Sequence, residues 1–162
     1  MPGTAKPYSP GKEHRLRRRL RVQARINIWL YRKSNGRIGG KFGKAPVGLI
    51  TTTGRRSGMA RTVPLFYLAD GERVILVASK RGMSTNPDWY LNLQTNPRLT
   101  VDIEGDAQAM LARTATSEEK ARYWPKLVEM FKTYQQYEDR TERDIPIVIC
   151  THRAPDPAGA GR

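Results

Sequence analysis

Val47-Gly48-Leu49-Ile50-Thr51-Thr52-Thr53-Gly54-Arg55-Arg56-Ser57-Gly58-Met59-Ala60-Arg61-Thr62-Val63-Pro64-Leu65-Phe66-Tyr67-Leu68 reads as strand, turn, strand. The outer runs, Val47 to Thr53 and Arg61 to Leu68, are rich in β-branched and aromatic residues, which suit a pleated, half-buried surface. Gly54 to Gly58 has the length and the glycines of a hairpin loop. That loop also carries chemistry. Bare N–H groups in a tight turn, guanidiniums that fork onto phosphate or carboxylate oxygens, and a short hydroxyl make a seat for a multiply charged anion. Three cations (Arg55, Arg56, Arg61), two glycines and Ser57 within eight residues exceed what a solvated hairpin tip needs.

Working outward, Asp70-Gly71 turns the chain into a third strand, Val74 to Ser79, so the strands run as a meander. Lys80 and Arg81 follow at once. The strand holding Arg61 can pair with both neighbours, which lets groups from two turns converge on one ligand. Asn86-Pro87 predicts a capped short helix carrying Trp89, Tyr90 and Leu93, closed by Asn96-Pro97. Leu99 to Ile103 and Ala109 to Thr114 form a second hairpin around Gly105-Asp106. Thr116-Ser117-Glu118-Glu119 is a capping box that opens a long helix through Trp124, Leu127, Val128 and Phe131, and the last strand is Ile145 to Thr151. The order βββ-α-ββ-α-β predicts a mainly β, small antiparallel barrel with peripheral helices. No βαβ repeat supports a Rossmann sheet.

Charge is concentrated upstream. Residues 1–44 hold 13 of the 29 Lys and Arg against Glu13 alone. On a helix spanning residues 14–33, Arg18, Arg21, Arg25 and Arg32 fall on one side, with Leu16, Leu20, Ala24 and Tyr31 opposite. Such a basic amphipathic helix packs on its own domain, lies on an anionic membrane, or contacts nucleic acid. Residues 1–13 and 153–162 lack apolar periodicity and read as disordered tails, leaving residues 34–152 as the barrel domain. The glycines between Gly36 and Lys44 do not make a phosphate loop, because a Walker spacing would need glycine where Ile38 stands and Ser or Thr where Ala45 stands. They read as a connector. No apolar run is long enough to span a bilayer and no apolar stretch follows the basic start, so the expectation is a cytoplasmic protein, peripheral to the membrane at most.

Two further clusters offer ligand contacts. Asp88-Trp89-Tyr90-Leu91-Asn92-Leu93 supplies flat rings and an amide that both donates and accepts, although Trp89 and Leu93, one turn apart, also suit a barrel cover. Phe131, Tyr134 and Tyr137, spaced three apart at the end of the long helix, either wall a pocket for a planar substrate or form a core stripe. A free tyrosine, with pKa around 10, donates a hydrogen bond, or a proton to a strongly basic group. His14 and His152 lie near opposite ends and Cys150 is alone in a strand, so neither a metal centre nor a Ser-His-Asp system has its parts. Any reactivity therefore comes from a cofactor that the residues position.

Leu49 to Gly58, Ala78-Ser79-Lys80, Asn86-Pro87-Asp88-Trp89-Tyr90-Leu91-Asn92-Leu93, Tyr123-Trp124-Pro125 and Ile145-Pro146-Ile147-Val148 strongly resemble the deazaflavin-dependent nitroreductase family of actinobacteria. The resemblance runs from about Ile26 to Cys150. It implies a split β-barrel like that of the FMN-binding pyridoxamine-phosphate oxidases, using reduced coenzyme F420, whose tail carries a phosphate and a chain of glutamates. It implies that Gly54, Arg55, Arg56, Ser57, Gly58 and Arg61 hold that tail, with Lys80 adding charge. Pro64, Ala78, Ser79, Trp89 and Asn92 would lie about the deazaflavin. Phe131, Tyr134 and Tyr137 would wall the acceptor, with Tyr134 a proton donor and Ser79 at the reacting ring. The implied reaction is hydride transfer to planar, electron-poor acceptors: quinones, enones or nitroaromatics. Nitroimidazole reduction fits less well, since the family's nitroimidazole-reducing pattern has tyrosine where this chain has Phe66 and Phe131. An FMN-dependent enzyme on the same barrel is the near alternative, and a basic nucleic-acid-binding protein is the rival of another class.

Overall fold

The computed structural model describes residues 8–153; apart from residues 8–13 and 153, the two expected tails lie outside the described residues. Seven strands form: β1 (Lys41–Phe42), β2 (Ala45–Thr53), β3 (Ala60–Asp70), β4 (Arg73–Val77), β5 (Arg98–Ile103), β6 (Asp106–Thr114) and β7 (Ile147–His152). Strands β2-β3-β4-β7-β6-β5 are antiparallel neighbours, and β5 pairs back onto β2, which closes a six-stranded barrel. Closure removes the exposed strand edges that a meander would otherwise leave. This is the expected barrel. The connector before it contains β1, whose Lys41 and Phe42 pair with Pro46 and Ala45, so that segment is more ordered than its glycines suggest.

Alternation along the strands sorts side chains into two cores. Facing inward, Ile50, Leu76, Val101, Met110 and Val148 pack with Val63, Leu65 and Tyr67, and Trp89, Tyr90 and Leu93 of helix α2 (Asp88–Thr95) plug the end. Facing outward, Ile75, Val77, Ile147 and Ile149 pack with Phe66 and Leu68 under α3 (Ser117–Met130) and α4 (Thr133–Arg140). Because Leu49 pairs with Pro64 and Thr51 with Thr62, those residues share the outer face with Phe66. That outer face of β3 presents Thr62, Pro64 and Phe66 to the candidate site.

Helix α1 (Pro10–Lys33) takes in residues 10–13, which the sequence reading leaves in the tail. Tyr31 is its buried anchor, donating to the Asp102 carbonyl at 3.2 Å and accepting from the Glu104 N–H at 2.8 Å. The expected apolar side, Leu16, Leu20, Ala24 and Tyr31, is the half-buried to buried side. Two other expectations are corrected. Asn86 does not cap α2: the N-cap is Pro87, without a side-chain bond, and the Asn86 Oδ1 instead accepts from Arg143 Nη1 at 2.9 Å. Nor is there one long helix through Tyr137. Phe131 leaves helical conformation (φ −143°, ψ 91°) and seats its ring on Phe66, centroids 4.7 Å apart, so tertiary packing overrides local helix propensity.

The capping box forms as expected. Thr116 Oγ1 accepts from the Glu119 N–H at 3.2 Å, the Glu119 carboxylate accepts from the Thr116 N–H at 2.9 Å, and Arg113 binds both carboxylate oxygens at 2.7 Å. The Arg113 guanidinium, then the Thr116 N–H, hold the Glu119 carboxyl down from 4.5 to about 2. A carboxyl depressed on folding contributes stability that is complete above its unfolded pKa and lost as pH falls through the folded one. The Glu119→Gln variant is therefore expected to lose stability less steeply than the parent as pH falls from 4.5 to about 2. Parallel melting-temperature curves for the two proteins across that window would contradict this assignment.

Candidate functional site

The turn between β2 and β3 closes on itself through Gly58 N–H to Gly54 O and Gly54 N–H to Met59 O, both 2.8 Å. Gly58 sits at φ +68°, a left-handed position that favours glycine. Ser57 Oγ accepts from the Met59 N–H at 3.3 Å and from Arg61 Nη2 at 3.4 Å. Behind the turn stands Asn92, only 3% exposed, whose Oδ1 accepts from the Arg55 N–H at 3.1 Å and from Arg55 Nη1 at 3.2 Å. Its Nδ2 donates to Thr52 Oγ1 at 3.1 Å, so the amide is engaged on both sides. Arg55 also pairs with Asp88 at 3.3 Å, and Arg17 of α1 reaches the same carboxylate at 3.7 Å. Arg56 and Arg61 stay exposed.

Beyond β4 the chain makes an uncommon turn. Lys80 and Arg81, neither glycine, take φ +45° and +56°, followed by Gly82 at +72°. Left-handed backbone costs about 1–2 kcal/mol per non-glycine residue, so the surrounding contacts must hold it. The Lys80 ammonium is half-buried and donates to Thr85 Oγ1 at 2.6 Å and to the Asn86 carbonyl at 3.1 Å. Burial first, then neighbouring Arg17, lower its pKa from the ordinary lysine value. No carboxylate lies within ion-pair distance of it among the described residues. Asp88 and Glu13 act on it only from beyond ion-pair distance, so this half-buried ammonium favours an incoming anion.

The outer face of β3 links the two turns. Thr62 and Pro64 lie on it, half-exposed, and α1 crosses it, with Arg32 Nη2 donating to Thr62 Oγ1 at 3.4 Å. Between helix and strand runs an open groove of about 570 Å³, lined by Arg25, Ile28, Trp29, Arg32, Lys33 and Thr62. Further along β3 stands an aromatic wall. Phe66 meets Phe131 at 4.7 Å and Phe42 at 6.0 Å, Phe131 meets Tyr134 at 5.1 Å, and Tyr134 meets both Tyr137 and Trp124 at 6.3 Å. Burial, then the neighbouring Tyr137, push the Tyr134 phenol well above its ordinary pKa, so it keeps its proton at neutral pH. Tyr137 is raised by burial as well.

The sequence-named residues thus divide. Arg55, Arg56, Ser57, Gly58 and Arg61 form one turn, Ser79 and Lys80 form the next, and Pro64 lies on the shared outer face beside the wall of Phe131, Tyr134 and Tyr137. Gly54 is buried at the base of its turn, and Ala78 is fully buried, its N–H bonded to the Pro146 carbonyl at 2.9 Å. Trp89 packs in the inner core at 6% exposure, and Asn92, at 3%, supports the arginine turn from behind. Arg17 and Phe42 join the site unforeseen, one from a helix surface and one from a segment that reads as connector. Cys150 is a core residue whose thiol burial pushes up to about 12, which leaves no thiolate for chemistry near neutral pH.

The chain matches the family described as F420H(2)-dependent quinone reductase over residues 23–152. It is 36% identical to the F420H(2)-dependent quinone reductase Rv1261c of Mycobacterium tuberculosis over 143 residues, 85% of this chain and 96% of that protein. Among solved structures it is similar to an F420-H2 dependent reductase, FDR-A, at 36% identity and TM-score 0.60, covering 65% of this chain and 93% of that one. It is also similar to a domain-swapped dimer at 30% identity and TM-score 0.63, covering 88% and 99%. A barrel with a cationic turn beside an aromatic wall, and a family match across nearly all of that barrel, establish that this chain belongs to the F420H(2)-dependent quinone reductase family.

Proposed function

We propose that the protein passes a hydride from reduced coenzyme F420 to a quinone bound against the aromatic wall. The observation that carries this is Lys80: a half-buried ammonium with no carboxylate within ion-pair distance among the described residues, in a turn that packs at Gly82 on the helix of Tyr134 and Tyr137. Its surroundings suit a ligand with an acidic tail and a planar ring. Bound there, the coenzyme supplies the hydride. Arg55, Arg56, Ser57, Gly58 and Arg61 would hold the phosphate and glutamate tail, Lys80 would supply countercharge, and Pro64, Ala78 and Ser79 would floor the ring. Phe131, Tyr134 and Tyr137 would exclude water from the acceptor, and the protonated Tyr134 would donate a hydrogen bond to its oxygen. The family's named coenzyme favours F420 over the FMN alternative, and family membership also sets aside the nucleic-acid rival.

Enones and nitroaromatics are the finer substrate classes. With Phe66 and Phe131 in the wall, two polar contacts that tyrosines at those positions would offer a nitro group are missing, so quinones are expected to turn over fastest and nitroimidazoles slowest. Anaerobic oxidation of reduced F420 with a menaquinone analogue, cyclohexenone and a nitroimidazole tests this. Failure of the quinone to react, with either of the others turning over, would overturn it.

Membrane contact is favoured by one observation. Val22 and Ile26, with Trp29 at the rim of the groove, are 55–60% exposed along α1, among exposed arginines that include Arg18 and Arg25. Apolar side chains framed by arginines suit an anionic lipid surface. No described helix is long and apolar enough to cross a membrane. Full-length protein is expected to sediment with phosphatidylglycerol vesicles and not with phosphatidylcholine ones, and the triple alanine variant at Val22, Ile26 and Trp29 to stay in the supernatant. Equal partition of parent and variant would contradict the assignment.

A further inference from the structure

We infer that Arg143 is a positioning residue for the coenzyme, holding the 78–86 segment in the shape that presents Ser79 and Lys80; this rests on the reductase reading above. Arg143 lies between α4 and β7, half-buried. Its guanidinium donates to four acceptors of that one segment: Nε to the Met83 carbonyl at 2.9 Å, Nη1 to Asn86 Oδ1 at 2.9 Å, and Nη2 to the carbonyls of Ser79 at 2.7 Å and Ala78 at 3.2 Å. A planar fork reaches divergent acceptors in a way that a lysine ammonium cannot. No carboxylate lies within ion-pair distance of it among the described residues, so it serves carbonyls and not a charge pair.

The segment it spans contains the left-handed Lys80 and Arg81. From the last turn of α4, Arg140 Nη1 donates to the Arg81 carbonyl at 3.2 Å. Gly82 lies flush on the same helix: a Cβ there would stand 2.6 Å from the Tyr137 carbonyl oxygen, and its φ of +72° also favours glycine. The strained turn is thus held from one side by residues that follow the aromatic wall in the chain. Arg143 thereby fixes the spacing between the Lys80 turn and the helix that carries Tyr134 and Tyr137. Without its fork, the turn relaxes toward ordinary backbone and Lys80 leaves its place.

The full chain with Arg143→Lys, Arg143→Ala or Asn86→Ala tests this, with Arg113→Ala as a distant surface control. For folded Arg143→Lys the dissociation constant for F420 is expected to rise roughly tenfold or more, while kcat at saturating coenzyme stays within about twofold. Guanidinium ion should restore affinity to Arg143→Ala, and trypsin should cut after Lys80 and Arg81 faster than in the parent. Asn86→Ala, which removes one acceptor, should show a smaller change in the same direction, and Arg113→Ala none. Parental affinity and parental nicking in folded Arg143→Lys, or in Asn86→Ala should the arginine variants not fold, would overturn the inference. If the parent binds no F420, the reductase reading fails, and the nicking rates alone then decide whether Arg143 holds the turn.

Discussion

Replacing both Arg55 and Arg56 by alanine is expected to abolish measurable F420 binding while the barrel stays folded. A hydrogen bond between a guanidinium and an ionised phosphate or carboxylate contributes about 1.5–3 kcal/mol, so losing two removes roughly 3–6 kcal/mol, or two to four orders of magnitude in affinity. Stability should barely change. Arg56 is exposed, and the Asn92 amide grips the main-chain N–H of residue 55 at 3.1 Å, whichever side chain it carries. A fluorescence titration beside a thermal melt checks both halves. A folded double variant with parental affinity would remove the arginine turn from the coenzyme site.

The second large effect is expected at Asn92. Leucine in its place fills a similar volume but leaves the Arg55 N–H and the Thr52 hydroxyl, the latter on a residue only 2% exposed, without their partners. Buried groups left unpaired cost about 1–3 kcal/mol each, so Asn92→Leu should lose roughly 2–6 kcal/mol of stability. The freed turn should also bind coenzyme more weakly. Thr52→Val is the milder companion, because both Arg55 bonds to Asn92 survive in it. Urea unfolding of the two variants separates these outcomes, and a loss below about 1 kcal/mol for Asn92→Leu would show that the amide is not the support of the turn.

The framework was legible because its signals are local. Alternating β-branched runs around Gly54 to Gly58, the Asp70-Gly71 turn and the Thr116 to Glu119 box each specify their element within a few residues. Charge density alone marked the arginine turn. What escaped depends on contacts distant in sequence. Phe131 breaks its helix for a ring on β3, and Asn86 gives up a cap for an arginine 57 positions away. Helix α2 buries Trp89, Tyr90, Asn92 and Leu93 together, so its spacing does not reveal which of them meets a ligand. Arg143, in an unpatterned stretch before β7, carries no signal in sequence at all. Arg17 is one of many arginines on α1, and only the docked helix singles it out.

In the proposed function the cationic turn and Lys80 seat a deazaflavin with an acidic tail. The most direct measurement of this is an equilibrium titration of the full chain with purified F420 and, separately, with FMN. Saturable, single-site binding of F420, tighter than that of FMN and weakened by added salt, is expected. Absence of F420 binding, or tighter binding of FMN, would contradict it.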